Sequence, residues 1–265
     1  MTRAFLSLVL IGVGHVAWGC QTTPEISWPF PRVEARDDAE ILRIVEERSR
    51  LPASAYAEIT MSFQNEKRGG VADTVVQVLP GSVLRMTAIK DFVITTRPIF
   101  DIVVRANRFE LHLWPWKKPA ERHAGRIDEL AGIHEALFAF AVLRERIFAP
   151  GRRLDGSERS VRISDERVLL EDRGEGDFDL SWVLDRDTLG VERVVIRSPR
   201  RSGAVIFDFT SYLEVDGTFI PSAFRVKGGE KGFRVEGVLE DIELDLDPSE
   251  LDFELAPLRR EKGRS

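Results

Sequence analysis

Apolar residues recur at every second position through most of this chain, and this period constrains the fold more than any other feature. Between residues 55 and 63, for example, Ile59 and Met61 alternate with Glu58 and Thr60. A period of two places successive side chains on opposite faces of a β-strand. Similar short runs follow, separated by Gly, Pro and Asp, and they predict strands at residues 55–63, 71–79, 83–88, 99–104, 108–113, 161–170, 178–184, 191–197, 204–212, 218–226 and 233–244.

The connections between these strands are short, which predicts an antiparallel sheet. Parallel strands need crossovers of about a dozen residues or more, and most gaps here are shorter. The clearest hairpin joins 178–184 to 191–197 through residues 185–190. Residues 191–196 and 205–209 carry apolar side chains on both faces, whereas a sheet with one wet face alternates cleanly. A strongly curved sheet wrapped around a helix or a cavity explains this pattern, and the sequence leaves a filled and a hollow interior both open.

Two helices accompany the strands. Asp37 with Glu40 resembles a capping box and starts a helix that Pro52 ends, so we predict a helix over 37–51. A second, more apolar helix is predicted from a cap at Asp128 through 130–148, with its stop at Pro150-Gly151. The predicted fold is mostly β (α+β): a single curved antiparallel sheet forms an incomplete β-barrel, closed by an N-terminal helix and a central helix.

The first 19 residues are typical of a secretion signal. Arg3 precedes an apolar stretch, residues 4–13, which is shorter than the roughly 20 residues of a membrane span. Gly19 then precedes Cys20, the single cysteine among 265 residues. The tetrapeptide ending at Cys20 resembles a bacterial lipobox, which implies cleavage before Cys20 and lipid attachment to it. Ordinary secretion with an unmodified thiol is the alternative. With Gln21 next, in place of an aspartate, the resemblance favours the outer membrane, facing the periplasm.

Composition and charge fit one exported domain. The net charge of −6 leaves the chain without the basic surface that nucleic-acid binding requires. An apolar fraction of 43% supplies a substantial core. We predict a lipoprotein signal peptide at 1–19, a lipid anchor and Pro-containing tether at 20–36, one domain at 37–258 and a charged tail at 259–265. In the tether, Trp28 and Phe30 either pack on the domain or lie at the membrane interface.

Residues with catalytic or metal-binding chemistry form no recognisable motif. His112, His123 and His134 share no helical i, i+4 spacing and are interpreted as surface residues. Without a His pair or a spare thiolate, we predict no metal and no cofactor. Acidic residues and glycines at 171–177 indicate a solvated turn, with calcium binding as the alternative. Nucleophile-elbow, phosphate-loop and dinucleotide motifs are absent from the sequence, so we predict that the chain is not an enzyme.

Three short motifs carry a resemblance to a known family. LPGSVLRM at 79–86, YLEVDGTFIP at 212–221 and LDPSELDFEL at 246–255 resemble a strand, a late hairpin and the closing segment of the LolA/LolB-like superfamily. These proteins are lipoprotein-localisation carriers and receptors. The order of lipobox, helix, strands, central helix and further strands is also similar, and the resemblance covers roughly residues 37–258.

The resemblance implies a membrane-anchored envelope lipoprotein that binds an acyl chain or lipoprotein lipid in an apolar half-barrel. The chemistry would be sequestration and hand-over with no covalent step, and another envelope protein is a possible partner. The soluble carrier of the family holds its lid with an arginine, for which Arg85 is the nearest analogue by local motif and several other arginines are alternatives. The family's receptor exposes an apolar side chain on a loop, and Phe92 and Ile94 are the candidates here. The loop at 114–119 either meets the membrane interface or packs on the domain edge.

Strand alternation predicts which side chains face the concave side of the half-barrel, and the central helix adds two more. The predicted lipid-binding cavity is lined by Leu84, Met86, Phe100, Ile102, Leu111, Leu137, Phe140, Trp182, Leu184, Phe207 and Phe209. One alternative is a structural or assembly lipoprotein with a filled barrel, which binds a protein through an edge strand or the 114–119 loop. A second alternative, an envelope hydrolase, would need converging polar side chains with perturbed pKa values.

Overall fold

Thirteen antiparallel strands form one sheet in the described part of the chain. The computed structural model describes residues 29–34, 37–64, 69–92, 95–115, 118–173, 178–198, 203–228 and 232–256. The strands are β1 (Ala55–Gln64), β2 (Gly69–Leu79), β3 (Val83–Phe92), β4 (Thr95–Arg105), β5 (Arg108–Leu113), β6 (Glu121–Arg126), β7 (Glu158–Ile163), β8 (Arg167–Arg173), β9 (Asp179–Asp185), β10 (Val191–Arg197), β11 (Ala204–Val215), β12 (Thr218–Gly228) and β13 (Phe233–Leu244).

The sheet is open, so the barrel is incomplete as predicted. Its strand order is β6-β5-β4-β3-β2-β1-β13-β12-β11-β10-β9-β8-β7, which makes β6 and β7 the two edges. Both edge strands carry charged residues, a common protection against edge-to-edge pairing. The chain between these edges forms the central helical segment, which lies against the concave face of β11, β12 and β13.

The N-terminal helix α1 (Asp38–Arg48) confirms the predicted capping, since the Asp37 side chain accepts a hydrogen bond of 2.9 Å from the Glu40 amide. The central helix differs from its prediction. It is broken into α2 (Ile127–Ile133) and α3 (Glu135–Leu143), and a 3-10 turn (Arg144–Ile147) follows. The α2 N-cap is Arg126 rather than Asp128, and His134 between the helices has extended backbone with φ −154° and ψ 99°.

One strand prediction was also wrong, and one strand was missed. The run at 161–170 belongs to two strands, β7 and β8, because Ser164 closes a tight turn. Its hydroxyl accepts from the Arg167 amide at 3.1 Å and donates to the Arg167 carbonyl at 2.8 Å. Strand β6 was missed because its side chains are mostly polar and solvent-exposed, so the apolar alternation that marks the other strands is absent.

The antiparallel register gives the half-barrel two distinct ends. At one end, which we call the mouth end, β3 passes to β4 and β5 ends at Leu113. At the base end, residues 185–190 connect β9 to β10. The base hairpin is built as predicted: one Asp185 carboxylate oxygen accepts from the amide and the hydroxyl of Thr188, each at 2.7 Å.

Part of the predicted tether packs on the base end. Phe30 is only 9% exposed, and its ring centroid lies 4.9 Å from that of Tyr212 and 4.7 Å from that of Phe219. The Arg48 guanidinium lies 5.3 Å from the same ring centroid, at a distance typical of a cation–π contact. Gly190 leaves room for the ring, because a Cβ there would meet Phe30 at 2.8 Å. Phe30 therefore packs on the domain, while Trp28 lies outside the described residues.

Candidate functional site

All eleven residues predicted for the cavity lie together in the core inside the half-barrel. Each is at most 2% exposed, and all belong to one continuous apolar cluster. The predicted strand register is therefore correct on both halves of the sheet, because a slip of one residue would have reversed the faces. Their role in binding a lipid stays a prediction.

Helix α3, which carries Leu137 and Phe140, fills the space that the nine strand residues surround. Every residue from Ala136 to Leu143 is buried, and a helix that is apolar all round is normally enclosed on all sides. Because the surrounding core residues are almost wholly inaccessible to water, the concave face is packed against α3 in this conformation. A ligand can reach that face only if α3 moves.

Aromatic rings form the contact between α3 and the sheet. The Phe140 ring centroid lies 5.5 Å from that of Phe207 and 5.4 Å from that of Phe224, both in edge-to-face geometry. Phe224 packs against Gly237 of the neighbouring strand, where a Cβ would approach the ring to 2.2 Å. Nearer the mouth end, Phe138 contacts Phe178 with ring centroids 5.5 Å apart. These contacts are apolar and release no hydrogen bond when they separate.

Both ends of α3 are marked by a change in backbone conformation. His134 is extended, and its Nδ1 accepts a hydrogen bond of 3.3 Å from the Leu137 amide, which caps the helix. Burial lowers the pKa of His134 from 6.5 to about 4, so the imidazole is neutral at pH 7. Arg144 follows the last residue of α3 with a φ of 45°, in the left-handed region that non-glycine residues seldom occupy.

A pocket of about 320 Å³ opens at the mouth end, beside the break between α2 and α3. Its walls come from the ends of β3, β4 and β5 and from the loop that follows β5. The lining residues are Lys90, Arg97, Pro98, Ile99, Phe100, Leu113, Trp114, Pro115 and His134. Phe100 connects this pocket to the predicted cavity set, while the rest of the pocket was not foreseen.

No protein-family model matches the sequence, and no curated protein does. Solved structures do match over most of the chain. A LolA superfamily protein from Nitrosomonas europaea superposes with a TM-score of 0.57 at 9% identity, over 82% of this chain and 97% of its own. An outer membrane lipoprotein-sorting protein domain from Vibrio parahaemolyticus gives 0.55 at 14% identity, over 80% and 94%. A DUF1329 family protein from Desulfovibrio piger gives 0.54 at 13% identity, over 81% and 95%.

The chain has the LolA/LolB-like fold. In fold, this agrees with the resemblance that the sequence motifs suggested, and it confirms an open, mostly β half-barrel with few helices. At these levels of identity the likeness concerns the fold alone.

Within the LolA/LolB-like fold, Arg85 does not hold the lid, so the analogy with the carrier's arginine was wrong. It points to the convex face, opposite Leu84 and Met86, where it forms a two-point ion pair with buried Asp101 at 3.1 and 3.0 Å. Arg85 also donates to the Asp252 carbonyl at 3.1 Å. Its contacts therefore hold the C-terminal segment 251–256 across the back of β3 and β4.

The interpretation of all three histidines as surface residues was also wrong. His112 is only 7% exposed, and its Nδ1 lies 3.0 Å from the Ala256 carbonyl, so it is a buried residue under the C-terminal segment. His134 is partly buried and caps α3, while His123 lies on the edge strand β6. Within the described ranges, no group of three or more His, Cys, Asp or Glu side chains could hold a metal ion.

The acidic run near residue 171 was also misread in part. Asp172 lies within β8 and is fully buried rather than in a solvated turn; residues 174–177 lie outside the described part. Cys20, Ile94, Trp116 and the side chain of Phe92 also lie outside what the structure describes. None of the helices among the described residues has the length and apolar character needed to cross a membrane.

Proposed function

We propose that this chain is a lipid-anchored carrier or acceptor of the bacterial envelope, which binds an acyl chain on the concave face of its half-barrel. The observation that carries the proposal is α3, an entirely apolar helix held in the half-barrel by ring contacts and flanked by two backbone breaks. Helix α3 acts as a lid: it occupies the concave face when no lipid is bound and leaves when an acyl chain replaces it.

The physical basis is an exchange of one apolar surface for another. Moving α3 exposes apolar surface on the sheet, at a cost of about 25 cal/mol per Å². An acyl chain that covers the same surface restores that free energy, at about 0.8 kcal/mol for each buried CH₂ group. The breaks at His134 and Arg144 supply positions at which the backbone can rotate without unfolding the helix itself.

Membrane attachment through acylated Cys20 is the second part of the proposal. The lipobox-like tetrapeptide that ends at Cys20 supports it. Labelling cells with a radioactive or alkyne-bearing fatty acid tests it directly. We expect label on the wild-type chain and none on Cys20→Ser, and label on neither would contradict lipid anchoring.

A reversible cross-link tests the lid. A chain that begins at Pro24 has no cysteine, so Phe138→Cys and Phe178→Cys can be joined by a short cleavable reagent across their ring contact. The matched control joins Thr60→Cys to Val238→Cys, a cross-strand pair on the convex face. We expect the lid cross-link to reduce uptake of a fluorescent fatty acid at least about tenfold, cleavage to restore it, and the control cross-link to have no effect.

Equal uptake with the lid cross-linked would contradict a mobile α3.

The second candidate function is that of a structural or assembly lipoprotein with a filled barrel. The dense packing of the concave face around α3 favours it. It predicts no uptake by any variant, cross-linked or not.

A further inference from the structure

The backbone at Arg144, directly after helix α3, has a conformation that is unfavourable for any residue with a Cβ. Its φ is 45° and its ψ is −121°. Residues in the left-handed helical region have ψ near +47°, so Arg144 lies closer to the mirror image of the β region, which glycine enters readily and other residues do not. The surrounding structure must therefore impose this conformation on Arg144.

The segment after Arg144 is fixed to the rest of the domain. All residues from 145 to 150 are buried. The Arg146 guanidinium donates to the Arg153 carbonyl at 3.1 Å. The Ser49 hydroxyl of α1 donates to the Pro150 carbonyl at 2.7 Å. Burial and these hydrogen bonds keep segment 145–150 in place, so it can serve as the fixed side of a hinge.

Helix α3 is packed on the other side of Arg144. The ring contacts of Phe138 and Phe140 hold it against its neighbours in the half-barrel. Since residues 136–143 are all buried, α3 cannot turn within the half-barrel without clashing with the side chains around it. A change of Arg144 to negative φ would rotate α3 relative to segment 145–150. The backbone at Arg144 can therefore relax only when α3 leaves the concave face.

The side chain of Arg144 adds a second cost to the closed position of α3. Its Nε is buried, and no atom in the described part of the chain forms a hydrogen bond with it. A buried N–H without a partner loses the hydrogen bond that water supplies in the unfolded or open chain. The closed position thus combines an unfavourable backbone conformation with an unsatisfied donor at one residue.

We propose that Arg144 makes closure of the lid unfavourable, so that the closed position of α3 is a strained state that opens readily for an acyl chain. Because only the open position can bind the chain, a larger open fraction raises the apparent affinity in proportion. This inference rests on the proposed function, in which α3 leaves the concave face. It goes beyond that function because it assigns the balance between the closed and open positions to one residue.

Two substitutions separate the backbone of Arg144 from its side chain. Arg144→Gly and Arg144→Ala both remove the unsatisfied Nε, but only glycine also removes the Cβ that makes the backbone unfavourable. A glycine normally lowers stability relative to alanine, since it gives the unfolded chain more conformational freedom. Here we expect the reverse order in urea unfolding, with the higher midpoint for Arg144→Gly.

A buried thiol reports the position of the lid without any ligand. In the chain that begins at Pro24, Val142→Cys places the only cysteine on α3, at a residue that is 3% exposed. Its rate of reaction with a thiol reagent measures how often α3 opens. We expect Arg144→Gly to react at least about fivefold more slowly than Arg144→Ala, and to bind a fluorescent fatty acid at least about fivefold more weakly.

Ala106→Gly is the matched control. Ala106 also has a positive φ, 48°, but lies in the exposed turn between β4 and β5. Its replacement by glycine should raise the unfolding midpoint and leave unchanged both the reaction of the thiol at residue 142 and the affinity for the fatty acid.

The outcomes distinguish this inference from the proposed function. Equal thiol reaction rates in Arg144→Gly and Arg144→Ala, or an equally large decrease in Ala106→Gly, would overturn the strained lid and leave acyl binding intact. Slower reaction of Arg144→Gly with unchanged fatty-acid affinity would overturn the link between strain and affinity. Absence of fatty-acid binding by the folded wild-type chain would overturn the proposed function, while the thiol rates would still decide whether closure is strained.

Discussion

The indole nitrogen of Trp182 donates a hydrogen bond of 3.0 Å to Asp172 inside the half-barrel. The same carboxylate accepts two bonds from Arg159, at 2.5 and 2.6 Å, and Arg159 also donates to the Gly151 carbonyl at 2.7 Å. All three side chains are almost fully buried. The concave face therefore ends, on the β7–β9 side, in a closed polar cluster whose hydrogen bonds fix the Trp182 ring.

Removing the charge of Asp172 should be costly. Asp172→Asn leaves Arg159, whose side chain is 2% exposed, without an anionic partner, and breaking a buried ion pair from one side costs about 3–5 kcal/mol. The matched control is Glu171→Gln, since Glu171 pairs with Arg162 and Arg173, which are 64% and 73% exposed. It should cost less than about 1 kcal/mol. Urea unfolding measures both free energies, and equal values would contradict the role given to the cluster.

Gly237 should resist substitution because a ring occupies the space next to its Cα. In Gly237→Ala the added methyl group would lie 2.2 Å from the Phe224 ring, so the ring must shift and disturb its packing against Phe140 and Phe207. Overpacking of this kind costs about 1–3 kcal/mol. Val238→Ala, next along β13 and 49% exposed, should change the free energy of unfolding by less than about 0.5 kcal/mol. A Gly237→Ala protein as stable as Val238→Ala would show that the aromatic cluster adapts freely.

The His134 cap makes the stability of α3 depend on pH. The folded-state pKa is about 4 against 6.5 for a free histidine, so the unfolded chain binds more protons between these values. Stability from this residue is therefore complete above pH 6.5 and is lost as the pH falls toward 4. In His134→Asn the cap remains without a titrating ring. We expect the wild-type chain to lose more free energy of unfolding than His134→Asn between pH 7 and pH 4.5.

Subtracting the two pH profiles cancels every carboxylate that both proteins share. If the difference in free energy of unfolding between the two proteins is the same at every pH in this range, His134 contributes no pH dependence to stability. If the wild-type chain loses less than His134→Asn, the fold stabilises the charged form of His134.

Periodicity was sufficient to predict the sheet and its concave face, because burial on one side imposes alternation on the sequence. Periodicity could not predict elements in which both faces carry side chains of similar polarity. Strand β6 is polar on both sides, and the break at His134 depends on a side-chain cap, which is invisible in a run of apolar residues. Asp172 shares the buried face of Val168 and Leu170, and this spacing of two was the signal that could have placed it inside.

The mouth pocket was beyond sequence reasoning for a different reason. Lys90 and Arg97 are cross-strand neighbours in the hairpin of β3 and β4, but only the tertiary fold places His134 and the loop after β5 beside them. Arg85 shows the opposite error: a local motif suggested a role in the lid, while the pleat of β3 directs its side chain to the convex face.

The C-terminal segment 251–256 is held by Asp101, and this contact gives a last prediction. Asp101 is fully buried and accepts from Arg85, from the Thr87 hydroxyl at 2.9 Å and from the Ala256 amide at 2.7 Å. Asp101→Asn removes the charge that Arg85 faces and exchanges one acceptor for a donor opposite N–H groups. We expect a loss of about 3 kcal/mol and faster proteolysis after Leu251.

Asp252→Asn is the control, because Asp252 pairs with Arg85 from a position where 67% of its side chain is exposed. An exposed partner contributes less than about 1 kcal/mol, so this variant should keep the segment in place. Mass spectrometry of timed digests separates the two cases, since cleavage within 251–256 removes a defined mass. If Asp101→Asn is cleaved no faster than Asp252→Asn, the buried carboxylate does not hold the segment, and the Arg105 bond of 2.8 Å to the Phe253 carbonyl becomes the contact to test.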